Sequence, residues 1–426
     1  MTYAEAIQYL CDLQLFGARL GLHNITRLAA LAGDPQNKLR FIHVAGTNGK
    51  GSTCAMLESM YRQTGLRVGL FTSPHLVAFG ERIQVNRQSI SETDILRLLA
   101  DIKPLIATFP ADDHPTFFEA VTLMALLYFL EQRCDLVVWE TGLGGRLDAT
   151  NIVTPLASVI TNVQFDHQQW LGETLAQIAF EKAGIIKPHV PIITTTDVPE
   201  ALEVIELVAR GKAAPLTIVH RDDTQRPPLA DIQLSLRGEH QRLNAALALA
   251  TVRQGQAALP VSEAAMRDGL TSVIWPGRVQ VETTLSGQVF VLDGAHNPAG
   301  AGTLRAAMRQ YFPQTKPALI LGMLRDKDWA TMCHILAPLA QRVILVPVHS
   351  QRTATPTELE AACRQANPVA PVAICHSLAE ALETVASDPL VVLAGSLYLI
   401  GEAMERLHLV AADTAKERGL NEWKMK

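Results

Sequence analysis

Residues 43–53 read His-Val-Ala-Gly-Thr-Asn-Gly-Lys-Gly-Ser-Thr. Gly46, Gly49 and Gly51 let backbone N–H groups approach phosphate oxygens closely, and Lys50 adds a point charge suited to a β/γ-phosphate. Ser52 stands where a hydroxyl can reach a phosphate or its Mg²⁺, and Thr47 and Asn48 complete the loop. A strand-like run precedes it and a helical pattern follows, as a triphosphate loop requires. The spacing G-x-x-G-K-G-S differs from the usual P-loop by the glycine after the lysine. The plain alternative is a strand–helix turn without a ligand, in which a lysine among three glycines has little structural purpose.

Further candidates follow other strand-like runs. Glu140 ends an apolar run and precedes Thr-Gly-Leu-Gly-Gly-Arg-Leu-Asp148. A carboxylate at the end of a parallel strand points into the crevice where α/β proteins bind ligands, and beside a triphosphate it suits Mg²⁺. Anchoring the next helix is its alternative. Asp166-His167 follows a run ending at Val163, and a histidine so placed is more often structural. Lys182 ends a helical pattern, where interaction with the helix dipole accounts for it equally well. Asp293-Gly-Ala-His-Asn-Pro298 lies between a strand and a helix, so Asp293 could meet a nucleotide across a cleft or serve a helix cap. Asn244 lies in a helical pattern over 240–254, where an isolated asparagine usually faces solvent.

These residues need an α/β scaffold, because short β-like runs alternate with helical patterns almost throughout. Strands are predicted over 40–45, 68–71, 135–140 and 157–163, and helices over 52–62, 116–133 and 173–183. The sequence Ser91-Glu-Thr-Asp94 opens a further helix with capping-box-like spacing. Five more strands are predicted at 288–292, 318–322, 342–348, 372–375 and 390–394. With 426 residues, more than one core is expected. The Trp275-Pro-Gly-Arg278 break and the polar turn at 283–288 put a boundary near 284. Residues 1–284 then form a P-loop nucleotide-binding domain, and 285–426 a smaller, doubly wound Rossmann-like domain.

Composition narrows the function class. The chain is 48% hydrophobic and 19% charged, with a formal net charge of -5 and no basic stripe, which argues against nucleic-acid binding. Six cysteines without a C-x-x-C pair fit a reducing compartment. The longest apolar run, 120–130, is too short to span a bilayer, so a cytoplasmic protein without a membrane partner is expected.

Taken together, the ordered motifs resemble the folylpolyglutamate synthase/dihydrofolate synthase family of the Mur ligase superfamily, over nearly the whole chain. The resemblance rests on the phosphate loop, Phe71-Thr-Ser-Pro-His-Leu76, Glu81-Arg-Ile-Gln-Val-Asn86, Glu140-Thr-Gly-Leu-Gly-Gly-Arg-Leu-Asp-Ala-Thr-Asn151, Asp166-His-Gln168, Glu181-Lys-Ala-Gly-Ile-Ile-Lys187, Pro276-Gly-Arg278 and Leu292-Asp-Gly-Ala-His-Asn-Pro298. It implies that Ser73, Glu140 and His167 hold magnesium, assisted by Ser52, with two Mg²⁺ sites. It implies a carbamylated Lys182, and nucleotide contacts from Asn244, Arg278 and Asp293. His296, Ser396 and Lys327 fall on the glutamate or acyl-phosphate side. Thr116, Phe117, Phe118 and Glu119, with Arg146, Leu147 and Asp148, fall on the pterin side, and Arg82 also on the substrate side. The segment Phe16-Gly-Ala-Arg-Leu-Gly-Leu22 departs from the pattern by lacking an acidic residue expected in some dihydropteroate-using members.

The implied activity is an ATP-dependent ligation of L-glutamate to reduced folates, to dihydropteroate, or to both, through an acyl phosphate. Lys50, Lys182 and His296 are the expected catalytic groups, in a monomeric enzyme. Two alternatives are a Mur-type ligase acting on a UDP-linked peptidoglycan precursor, and an ATP-binding module without ligase chemistry. The first would need an extra UDP-binding domain, which is not obvious in the chain. The second would not need Glu140, His167 and Lys182 together.

Overall fold

The computed structural model describes residues 1–14, 17, 20–410 and 417–422. Phe16, Ala18 and Arg19 of the departing segment therefore lie outside the described residues.

Two sheets organise the chain. The first contains β1 (Phe41–Ala45), β2 (Val68–Phe71), β3 (Ile83–Val85), β4 (Gln88–Ser89), β5 (Leu136–Glu140), β6 (Ala157–Ile160), β7 (Ile192–Thr194) and β8 (Leu216–Ile218). Their order is β4-β3-β2-β5-β1-β6-β7-β8. β1 lies parallel between β5 and β6, while β3 runs antiparallel to both β2 and β4. The connection from β1 runs towards β2 on one side, whereas β6 lies on the other, so a ligand crevice opens at the carboxyl ends of β1, β5 and β6.

Every residue of β5, Leu-Val-Val-Trp-Glu, is buried. Helices cover both sheet faces, so the strand reads as a continuous apolar run instead of alternating. Helix Phe117–Glu131 packs with Glu92–Ile106 on one face, against Phe41, Phe71 and Trp139. Helices Lys50–Arg62 and Glu239–Gln254 pack on the other, around Met56, Met60 and Leu247.

The second sheet contains β9 (Gln280–Thr283), β10 (Val289–Leu292), β11 (Ala318–Leu321), β12 (Arg342–Leu345), β13 (Val372–Ile374) and β14 (Leu390–Ala394), in the order β13-β12-β11-β14-β10-β9. Separate apolar clusters cover its two faces, giving the doubly wound arrangement expected. β9 pairs antiparallel with β10, so the sheet begins at Gln280 and the expected boundary at 284 falls inside a hairpin. The polar stretch that reads as a break is the hairpin turn, closed by Gly287 N–H donating to Thr284 O at 2.9 Å.

Segment 417–422 packs across both units. Arg82, buried in the first unit, donates to Asn421 Oδ1 at 2.7 Å, and Phe79 N–H donates to the Glu417 carboxylate at 2.6 Å. Tyr398 of the second unit donates its hydroxyl to Asn421 O, and Arg352 lies 3.5 Å from Glu422.

Candidate active site

The crevice of the first sheet continues into a cleft of about 810 Å³ walled by both units. The phosphate loop lies at its floor and is fixed from the loop after β6. Thr47 N–H donates to Asn162 O at 3.0 Å, Asn48 N–H to Asn162 Oδ1 at 2.9 Å, and Thr161 Oγ1 to Asn48 O at 2.7 Å. Gly46 has φ +147°, and a Cβ there would fall 1.8 Å from Thr161 Oγ1. Only glycine fits this approach. A Cβ on Gly49 would come within 2.5 Å of Asn244 Oδ1, so Asn244 faces the loop and not solvent. Asn244 donates to Gln241 Oε1 at 3.0 Å, and Gln241 donates to Ser52 Oγ at 3.2 Å.

Two lysines converge on one carbonyl. Lys50 Nζ donates to Gly46 O at 3.1 Å and Thr47 O at 3.3 Å, and Lys182 Nζ donates to Gly46 O at 3.0 Å. Burial, and then the charge of Lys50, lower the Lys182 pKa to about 7. Helix-dipole interaction is thus not the whole account of Lys182, because its buried amine points at the phosphate loop.

Glu140 is also buried, and burial raises its pKa to about 7 against the opposing charge of Lys50. Its Oε2 accepts from Ser73 N–H at 3.1 Å, and among the described residues it has no ion-pair partner. A buried carboxyl beside serine hydroxyls and a phosphate loop is a donor set that fits Mg²⁺. His167 lines the same cleft but keeps different company. Its Nε2 lies 3.4 Å from Lys327 Nζ and 3.8 Å from Asp166 Oδ1. Burial and the Lys327 charge lower its pKa to about 3, so the imidazole is neutral. Among the described residues no three His, Cys, Asp or Glu side chains converge as a cage.

Asp166 is the centre of a cluster that joins the two units. Lys327 Nζ donates to it at 2.6 Å and Asn297 Nδ2 at 3.0 Å, with His296 Nε2 at 3.6 Å. Burial opposes ionisation of Asp166, but the facing positive charge holds its carboxyl well below the usual range. With both imidazoles neutral, that charge is chiefly Lys327. His296 has its pKa lowered to about 4 by burial and then Lys327. Its Nδ1 lies 2.8 Å from Gly294 O, a pure acceptor, so Nδ1 carries the proton and Nε2 is bare.

The remaining second-unit candidates are held by backbone. Asp293 accepts from Val279 N–H at 2.8 Å and Ala295 N–H at 2.9 Å, beside buried Arg278, whose Nη1 donates to Gly277 O. The helix cap of this motif is Asn297, not Asp293. Ser396 caps helix Leu397–Arg406, accepting from Tyr398 N–H at 3.2 Å.

On the pterin side, Thr116 and Glu119 form a capping box for helix Phe117–Glu131. Phe118 lies tilted on Phe71 at 6.0 Å, and Phe71 stacks on Trp139 at 4.4 Å. The cleft-facing ring therefore stands on a rigid aromatic base, each such pair worth about 1 kcal/mol. Phe117 is more deeply packed, with Arg82 over its ring at 5.4 Å. Asp148 is buried and accepts from Leu143 N–H at 2.8 Å and Thr150 N–H at 3.0 Å, closing the glycine-rich turn. Leu147 lines the cleft. Arg146, expected on the substrate side, is not among the lining residues: its Nη2 pairs with Glu181 at 2.8 Å and its guanidinium covers Phe180. That correction has a local cause, since Arg146 N–H donates to Glu181 O at 2.7 Å and docks the turn onto helix Leu175–Ala183.

Sequence reasoning missed Asn162, Gln241 and Asn297, and noted Asp166 only as a neighbour of His167. Asn297 had a usable signal, because asparagine before Pro298 is a strong helix start. Asn162 and Gln241 had none, because the loop residues they meet, Asn48 and Ser52, lie 114 and 189 residues away.

A phosphate loop, a buried carboxyl and lysine beside it, and a second α/β unit closing the cleft define an ATP-dependent acid–amino-acid ligase of the Mur type. The Mur ligase middle domain matches residues 44–252, and the Mur ligase glutamate ligase domain matches residues 277–397. The Bacillus subtilis dihydrofolate synthase/folylpolyglutamate synthase is 36% identical over 95% of this chain and 99% of its own length. The Mycobacterium tuberculosis folylpolyglutamate synthase complexed with ADP and AMPPCP superposes with TM-score 0.86, at 30% identity over 95% of this chain and 98% of that one. Escherichia coli FolC in complex with DHPP and ADP gives 0.84, at 33% identity over 96% and 98%. The chain belongs to the folylpolyglutamate synthase/dihydrofolate synthase family. No helix among the described residues is long and apolar enough to cross a membrane.

Proposed function

We propose that this enzyme adds L-glutamate both to reduced folates and to dihydropteroate, as a cytoplasmic monomer. Residues 1–279 would bind ATP and the pterin, and the unit from Gln280 would supply the glutamate side. The observation that carries this reading is the single cleft in which the phosphate loop, Lys182 and Phe118 of the first unit face His296 and Lys327 of the second.

Lys50 moves from the Gly46 and Thr47 carbonyls onto the β/γ-phosphates. A free substrate carboxylate, that of the pteroyl group in dihydropteroate or of the glutamate tail in a folate, attacks the γ-phosphorus in line, ADP leaves, and an acyl phosphate forms. The glutamate amine then attacks the acyl carbon and inorganic phosphate departs. His296 Nε2, bare and facing the cleft, takes the proton the amine loses. Asp166 and Lys327 hold the second unit against the first and keep water from the acyl phosphate. Glu140, with the Ser73 and Ser52 hydroxyls, would hold one Mg²⁺, and His167 would serve a second. Bound Mg²⁺ would neutralise charge on the phosphates. The neutral amine of Lys182 is the form that adds CO₂, and the carbamate so made would set an anion beside the loop in place of a cation. Phe118 supports the pterin ring by stacking.

The test is ADP release that requires both a pteroyl substrate and L-glutamate, followed by product mass with dihydropteroate or a reduced folate. Release that is indifferent to either substrate would sink the ligase reading. A product from only one pteroyl substrate would remove the dual activity.

A further inference from the structure

The side chain of Asn297 stands where three segments meet. It is 2% exposed, and it begins helix Pro298–Tyr311 by accepting from Gly300 N–H at 2.8 Å. The rest of its amide crosses to the first unit. Asn297 Nδ2 donates to Asn48 Oδ1 at 3.0 Å and to Asp166 Oδ2 at 3.0 Å, and Asn48 Nδ2 donates back to Asn297 Oδ1 at 3.3 Å. Both amide hydrogens and the carbonyl oxygen are thus committed. A helix cap needs only the oxygen, so capping leaves the two donated bonds unexplained.

The partners are not arbitrary surface groups. Asn48 belongs to the phosphate loop and is pinned through its own backbone to Asn162 and Thr161. Asp166 carries the ion pair with Lys327, and His296 immediately precedes Asn297 in the chain. We propose that Asn297 is a positioning residue that reads the phosphate loop through Asn48 and sets the second unit, with His296, in register with the nucleotide. A loop wrapped around phosphates fixes Asn48, Asn48 orients the Asn297 amide, and the amide fixes the start of the helix that follows His296. The role acts on the ligase step and rests on the reading given above.

The test uses Asn297→Ser in the full chain, because serine caps a helix about as well as asparagine but has no amide to donate. Expected are a kcat for pteroyl- and glutamate-dependent ADP release lowered about 10- to 100-fold, the range for losing buried bonds to a charged partner. The KM for ATP should stay close to that of the unaltered chain, and the variant should remain folded at the assay temperature, its Tm lowered only by the loss of those bonds. At saturating ATP, Asn48→Ser combined with Asn297→Ser should have a kcat no lower than Asn297→Ser alone, since in that constant the Asn48 side chain acts through Asn297. Asn297→Asp, also a good cap, sets a carboxylate against Asp166 and should lose more activity than serine does. A serine variant with kcat within two-fold of the unaltered chain, losses that multiply in the double variant, or an aspartate variant as active as the serine one would each overturn the proposal. Failure of the unaltered chain to show substrate-dependent ADP release would instead count against the ligase reading itself.

Discussion

The two walls of the cleft treat their polar residues in opposite ways. Around the phosphate loop, Lys50, Lys182 and Glu140 are buried or part-buried, and Lys182 and Glu140 are displaced from their usual ionisation. Their bonds within the protein are few: the two lysine side chains share the Gly46 carbonyl, and Glu140 takes one N–H from Ser73. On the pterin wall Thr116 and Glu119 bond each other, Asp148 accepts from Leu143 N–H and Thr150 N–H, and Arg82 donates to Asn421. A polar group left short of partners inside a cleft is held ready for a ligand, whereas one already satisfied shapes the wall. The same sequence motif can contain both kinds, and only the partner list separates them.

Substitutions should divide along that line. Lys182→Met should have the largest effect, with amide formation lowered about 10³-fold and nucleotide binding retained, measured by product mass and by ADP titration. It also has a pH signature. The ordinary lysine value of 10.5 falls to about 7 in the fold, so between those values the unfolded chain binds more protons and stability rises with pH. Below pH 7 the buried cation opposes folding in full. Lys182→Met should therefore raise Tm at pH 6, with the gain shrinking towards pH 10; a gain independent of pH would argue against a buried ammonium.

Phe118→Ala comes next, raising KM for the pteroyl substrate about 10-fold with a smaller change in kcat, as expected for a lost stacking surface. Steady-state kinetics at saturating ATP decide it. Thr116→Ala touches the satisfied wall and should cost about 1 kcal/mol of stability through the lost cap, with KM almost unchanged; thermal unfolding beside a substrate titration separates the two. Arg146→Ala should be the mildest, within about two-fold in every kinetic constant, because its guanidinium pairs with Glu181 outside the cleft and a part-exposed pair is worth little. A strong KM effect there would return Arg146 to the substrate side.

Much of this was legible in the sequence because it is local. The phosphate loop sits between β1 and its helix, and Glu140 ends β5, as short-range pattern predicts. The hairpin of β9 and β10 was misread because its turn has the composition of a linker, and pairing between strands is a tertiary fact. The meeting of Asp166 with Lys327 and Asn297 escaped for a related reason, since those contacts span 161 and 131 residues. Arg146 sits inside a substrate-side motif, yet its neighbour across the fold, Glu181, decides where it points.

Segment 417–422 gives the enzyme an order of assembly. Arg82 is buried, and its guanidinium meets Asn421 Oδ1 from 339 residues further along the chain. During synthesis the first unit can fold before that partner exists, leaving the Arg82 guanidinium with His75 Nδ1 but without its acceptors on Leu420 and Asn421 until translation nears Glu422. A chain shortened before Glu417 is expected to stay at that stage. Its amide exchange should quicken at residues 77–82, far from the cut in sequence, while the strands of the first sheet remain protected.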